Sequence, residues 1–213
     1  MERDQFLGRV KAALRGAQLP DVEGPVDSPP VTFEDPVERF VEMATSVNAD
    51  VVRIRSTADA VDHIPASAGR GRSIAWDGLD DYVPGIYDSL AAAGWERADA
   101  TVGAGSWRVD HQRIGTATLG VTAVDVAIAA TGSLVLAHGA GRPRSASLTV
   151  EHHVALLPVT RIVNSLEAAV AHVDWEGTSN VVAITGPSRT GDIESILTLG
   201  VHGPRHLTIV LID

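Results

Sequence analysis

Three apolar runs constrain this chain more than any other feature: "HHVALLP" (152–158), "NVVAIT" (180–185) and "HLTIVLID" (206–213). Each is short, rich in β-branched residues and nearly free of polar alternation. That is the pattern of strands covered on both faces, as in a parallel sheet wrapped by helices. Upstream, "DVVRIR" (50–55) and "SIAW" (73–76) read as strands. Helical patterns follow them, one starting at Ser56 and one over "DDYVPGIYDSLAAAG" closed by Gly94. Strands separated by helices pair in parallel, because the helical crossover returns the chain to the same end of the sheet. A further helix is expected over "SLEAAVAHV", and "LGVTAVDVAIAATGSLVLAHG" reads as two apolar runs joined by a tight turn at "ATGS". The expected class is α/β, with a mostly parallel sheet flanked by helices.

Two segments precede that pattern. Residues 2–15 place Phe6, Val10 and Leu14 at helical spacing beside Leu7, and residues 16–30 are rich in proline and glycine. A second helix opens with Asp35 as N-cap, Pro36 at the first helical position and Glu38 completing a capping box. Its apolar face comprises Val37, Phe40, Val41, Ala44 and Val47. The chain thus divides into an N-terminal helix and extended arm, residues 1–34, and an α/β domain, residues 35–213.

Composition removes several functions. The formal net charge of −10 opposes a nucleic-acid surface, which needs clustered cations. No run approaches the roughly 18 apolar residues of a membrane span. The first residues are charged throughout and carry no apolar leader, so a cytoplasmic protein is expected. With no cysteine, the chain holds no disulfide and no iron–sulfur cluster through thiolates, so no cofactor of that kind is expected in it. Its one lysine, Lys11, is far from every glycine-rich loop, which argues against a P-loop or Schiff-base lysine. Any anion would be held by arginine or by backbone N–H groups.

The site candidates cluster in two loops. "GPSRTGD" (186–192) follows an apolar strand, where open α/β sheets bind ligands. Gly186 provides backbone freedom, Ser188 and Thr190 hydroxyls, Arg189 a guanidinium and Asp192 an acceptor or base. Asp192 and Glu194 already supply negative charge to an expected first helical turn, so a carboxylate on Arg189 fits better than a phosphate on the helix end. The competing reading is a capped strand-to-helix corner. Thr131, Gly132 and Ser133 form either a pocket floor or an ordinary hairpin turn. "GAGRPR" (139–144) lacks a complete dinucleotide fingerprint and a following helical pattern; Arg142 and Arg144 either reach over an anion or are solvated. Eight histidines form two clusters, "EHH" (151–153) and "HGPRH" (202–206), and neither has metal-ligand spacing. His202, between glycines, is the general acid/base candidate, beside the bland reading of a hydrogen-bonded structural histidine. Alternation sends one of His152 and His153 inward and the other outward.

"LGVTAVDVAIAATGSLVL", "SASLTVEHHVALLPVTRIV" and "ITGPSRTGDIESILTLGVHGP" together resemble the lactate utilization protein C family, the LUD domain, from about Leu119 to the end of the chain. The resemblance implies a fold similar to the sugar-phosphate isomerase and CoA-transferase-like superfamily. It also implies a role in oxidising L-lactate to pyruvate, beside partner proteins that bear iron–sulfur clusters. On that reading the chain is a non-redox subunit. It binds a small carboxylate or other anion, or a partner's surface, at loops 131–133 and 186–192, with Arg189 pairing to the carboxylate and His202 or Asp192 moving a proton. Two rivals stand beside it. One is a stand-alone isomerase or CoA-transferase-like enzyme, with Glu151 the nearest nucleophile. The other is a structural subunit that docks through residues 1–34.

Overall fold

The structure, a computed structural model, describes residues 3–15, 30–54, 70–98, 115–191 and 197–213. The helix expected from Ser56 lies outside the described residues, as do Asp192 and Glu194. Backbone contacts divide the chain into two units, Met1–Pro30 and Val31–Asp213. The first contains helix α1 (Arg3–Leu14).

The second unit opens with α2 (Pro36–Ser46). The Asp35 carboxylate accepts hydrogen bonds from the Val37 and Glu38 backbone N–H groups, each at 3.0 Å, and Phe40 and Ala44 are buried. One half of the expected capping box is therefore made; the Glu38 carboxylate instead accepts from the Arg53 guanidinium at 3.2 Å.

A six-stranded, wholly parallel sheet forms the centre. It comprises β1 (Asp50–Ile54), β2 (Gly71–Ala75), β3 (Trp95–Arg97), β4 (Ala117–Ala123), β7 (His152–Pro158) and β12 (His206–Ile212). Their order is β1-β12-β7-β4-β2-β3. Between β2 and β3 lies α3 (Ile86–Ala92), which the chain leaves through Gly94 at φ 91°. The interior of β12 is buried residue after residue, as its unbroken apolar run requires. β4 meets the short helix α4 (Ser145–Leu148), which was not expected after the glycine-rich stretch. The helix lies so close that a Cβ on Gly120 would sit 1.7 Å from the Ala146 carbonyl oxygen.

A second sheet of four strands, β8-β5-β6-β9, was not expected. It contains β5 (Val126–Ile128), β6 (Ser133–His138), β8 (Ile162–Val163) and β9 (Asn180–Ile184). β6 is antiparallel to both β5 and β9, so the turn expected at "ATGS" (130–133) does join a hairpin, its loop spanning residues 129–132. The apolar run before it, however, is two strands. The Val124 N–H bonds to Leu156 of the central sheet and the Asp125 N–H bonds to Val135 of the second, so consecutive residues pass the chain between sheets. Side-chain alternation then builds two cores. Leu134 and Leu136 pack toward the central sheet, whereas Val135 and Ala137 pack with Ala169 and Val173 around α5 (Leu166–His172). β9 lies antiparallel at the edge of this second sheet and is only partly buried, contrary to the strand buried on both faces of a parallel sheet expected there. The helix expected to start at Asp192 and Glu194, which lie outside the described residues, does not occupy residues 197–199: β10 (Arg189–Gly191) pairs antiparallel with β11 (Leu197–Leu199).

Candidate functional site

The structure brings the two expected loops together. The Thr131 and Ser133 hydroxyls lie 2.7 Å apart, and Ser133 lies 2.7 Å from the Thr185 hydroxyl, one residue before Gly186. What these loops enclose is the end of α2. A Cβ on Gly132, at φ 66°, would lie 2.3 Å from the Ala44 nitrogen; one on Gly186, at φ 77°, would lie 2.4 Å from the Val47 carbonyl oxygen. Arg189 donates to that same carbonyl at 2.6 Å. Both glycines thus have the left-handed backbone that favours glycine and no room for a side chain. The Arg189 guanidinium covers one of the carbonyls that a helix end leaves unpaired.

Ser188 is tied to the next loop by its backbone, donating to Pro204 at 2.9 Å and accepting from Gly200 at 3.0 Å. Thr190 lies within β10. His202 is exposed on the 200–205 loop and lines an open groove of about 470 Å³ with Glu151 and Arg205. That groove sits at the amino ends of β7 and β12, since residues 151 and 205 immediately precede those strands.

The opposite, carboxyl ends of the central strands carry a second concavity, of about 450 Å³. In a parallel sheet this is where successive loops converge and where ligands bind. Asp81 and Tyr82 come from the segment after β2, and Thr160 and Arg161 from a 3-10 turn after β7. Arg142 enters from the glycine-rich loop. Each guanidinium is held on two sides. Arg142 pairs with Asp125 at 2.9 Å and lies over the Trp76 ring at 5.2 Å. Arg161 donates to the Val124 carbonyl at 3.0 Å and lies over the Tyr82 ring at 5.0 Å.

The loop that presents Arg142 is locked to the end of β2. The Asp77 N–H donates to the Gly141 carbonyl at 2.8 Å, and the Trp76 indole N–H donates to Pro143 at 3.2 Å. Tyr87 braces the same end from below, donating to the Trp76 carbonyl at 2.5 Å and accepting from the Leu79 N–H at 3.1 Å. The glycine-rich stretch is therefore a backbone strap over the carboxyl ends, and Arg142 is not the solvated cation that one of the two readings allowed. Arg161, Tyr82, Asp81 and Thr160 escaped the sequence reading. The available signal for Arg161 was its place just after an apolar strand run that ends in Pro158.

Two fixed guanidinium groups beside a tyrosine and a threonine can clamp a small anion, with one carboxylate, Asp81, to limit how much negative charge the cleft accepts. The buried histidines serve a different purpose. His138 contacts the Arg142 carbonyl through Nδ1 at 3.3 Å; a carbonyl only accepts, so Nδ1 carries the hydrogen. Burial lowers the His138 pKa and keeps that ring neutral. His152 and His153 do point to opposite faces, but both faces are covered and both rings are buried, bonded to Thr208 and Thr122 at 2.9 Å each. Among the described residues, no three of histidine, aspartate and glutamate converge in a metal-binding group.

Comparison with known proteins gives concordant matches. The family model of the LUD domain matches residues 37–212. The lactate utilization protein C of Halalkalibacterium halodurans is 26% identical over 99% of this chain and 97% of its own length. That of Oceanobacillus iheyensis is 25% identical over 99% and 98%, and that of Macrococcus caseolyticus 29% identical over 86% and 80%. Among solved structures, a DUF162 family protein from Deinococcus radiodurans superposes with a TM-score of 0.59, covering 86% of this chain and all of that one at 22% identity. That likeness speaks to the fold alone.

Proposed function

The chain belongs to the LUD domain family, and from that premise we propose that it serves a lactate utilization system as a non-redox component that binds a small carboxylate. The relatives' shared name supports the first half. The observation that carries the second is the pair of anchored guanidinium groups, Arg142 and Arg161, at the carboxyl ends of the parallel sheet. On this reading L-lactate or pyruvate enters the cleft, with its carboxylate on the guanidinium groups and its C2 oxygen near the Tyr82 and Thr160 hydroxyls. The chain has no cysteine, so electrons from lactate oxidation would pass to iron–sulfur proteins acting beside it, in the cytoplasm. The loops at 131–133 and 186–190 then act by seating α2.

The test is calorimetric titration of lactate and pyruvate into the purified chain, with growth on L-lactate measured after deletion of its gene. Arg161→Ala is expected to weaken carboxylate binding about 10- to 100-fold, the worth of a charge-assisted hydrogen-bond pair. Unchanged affinity removes the cleft from the account, and unchanged growth removes lactate. A second reading, a CoA-transferase-like enzyme, is favoured by one observation: Glu151, the candidate nucleophile, shares the 470 Å³ groove with His202 and Arg205. Turnover of an acyl-CoA panel that is abolished by Glu151→Gln would establish it.

A further inference from the structure

We propose that the outer face of α5 docks a partner protein through a segment that combines apolar and basic side chains. The face presents Leu166 and Val170, one helical turn apart and 58% and 49% exposed, continued by Trp175 at 58%. The Trp175 indole N–H donates to the Val170 carbonyl at 3.3 Å, which fixes the ring against the end of the helix. Ala169, between them in sequence, is buried in the second sheet's core, which holds the helix with Leu166 and Val170 turned to water. Three large apolar groups exposed along one short helix and the turn after it mark an interaction site.

Charge decides what the occupant is. From Ile162 to Ser188 the sequence contains no lysine or arginine, while Glu167, Asp174 and Glu176 lie exposed around the stripe. Beside Trp175 opens a cavity of about 310 Å³ lined by Asp125, Asp174 and Glu176. Arg142 already pairs with Asp125 there, which leaves Asp174 and Glu176 to supply negative charge at the rim. Such a surface receives an apolar side chain on Trp175 and a lysine or arginine in the adjoining cavity. A second copy seated across a two-fold axis would set one acidic rim against another, which disfavours self-association through this face. The inference goes beyond carboxylate binding and stands whether or not the cleft holds lactate.

The probe is a labelled amphipathic helical peptide of leucine and lysine, with a leucine–glutamate peptide as control. Each is titrated by fluorescence anisotropy against the full chain. The lysine peptide is expected to bind with strong salt dependence and the glutamate peptide not to bind. Asp174→Lys with Glu176→Lys is expected to weaken the lysine peptide about tenfold or more, as is Trp175→Ser with Val170→Ser; all four positions are exposed, and circular dichroism verifies folding. Lysine-peptide binding that neither double variant alters would overturn the proposal. So would equal binding of the two peptides, or a dimer by light scattering that Val170→Ser dissolves.

Discussion

Gly120 shows how far a single hydrogen atom can decide packing. The residue sits in the middle of β4, where a side chain would normally be an asset, yet a Cβ there would overlap the Ala146 carbonyl oxygen at 1.7 Å. The partner has little room to yield, because Ala146 is fully buried in α4, which packs on the central strands β4, β2 and β7. Gly120→Ala is therefore expected to cost at least ~2 kcal/mol by overpacking, read as a lower urea midpoint at constant slope. Gly8→Ala, in α1, meets nothing within 4 Å and is expected to cost nothing. At the same scale, Arg142 carries two loads. Removing it takes a guanidinium from the cleft and leaves the Asp125 carboxylate, 18% exposed, without its ion-pair partner. Arg142→Ala is thus expected to lower both carboxylate affinity and stability, the latter by about 1–3 kcal/mol, whereas Arg161→Ala should move affinity far more than stability.

Among the elements, the end of α2 is held by two chain turns remote in sequence. Gly132 touches the backbone at residues 43 and 44, and Gly186 touches Val47. Alanine at either position meets both a strained φ and a backbone contact closer than 3 Å, so each single variant is expected to lose more than 2 kcal/mol. Once one substitution has lifted the helix end, the second has less contact left to destroy. The double variant should therefore lose less than the sum, a coupling that a double-mutant cycle in urea would detect and that strict additivity would refute. The same elements show what the sequence made legible. α2, the strands β1, β2, β4, β7 and β12 and the hairpin at 129–132 carry local signals, namely a proline after an N-cap, apolar runs and a glycine turn, whereas the three-residue β3 carries no such run. β9 misled because "NVVAI" lacks polar alternation. Val181 packs with the cluster around α5 and Ile184 with the central core, so this edge strand carries apolar residues on both faces although Ala183 is exposed. Residues 197–199 joined a strand because β10 offered them backbone partners, a tertiary choice that propensity does not encode. The cleft was half legible. The arginine of the glycine-rich stretch was in view, but Arg161 meets it only because β7 and β4 are neighbours.

For the whole molecule, acid is the telling perturbation. His152 and His153 lie side by side in sequence at the start of β7 and are buried on opposite faces of the central sheet. Burial, followed by the neighbouring imidazoles, lowers the His152 pKa to about 4 and the His153 pKa to about 3. The stacked His206 ring, 5.2 Å away, opposes a charge on His152, while Asp50 and Glu151 pull weakly the other way. In the unfolded chain both residues titrate near 6.5. Between that pH and about 4 the unfolded state binds protons that the folded state refuses, so stability is complete above pH 6.5 and falls as pH drops through this window. Each histidine that stays neutral contributes a slope of about 1.4 kcal/mol per pH unit. Urea unfolding at a series of pH values from 7.5 to 4 would measure the sum. His153→Gln, whose amide can still meet the Thr122 hydroxyl, is expected to flatten the slope by about one proton's worth, and a slope unchanged by that substitution would show that His153 is not held neutral by the fold. Loss of stability in weak acid is then a consequence of how the domain is assembled, because two sheets and a layer of helices leave this central strand no face in water on which an imidazolium could rest.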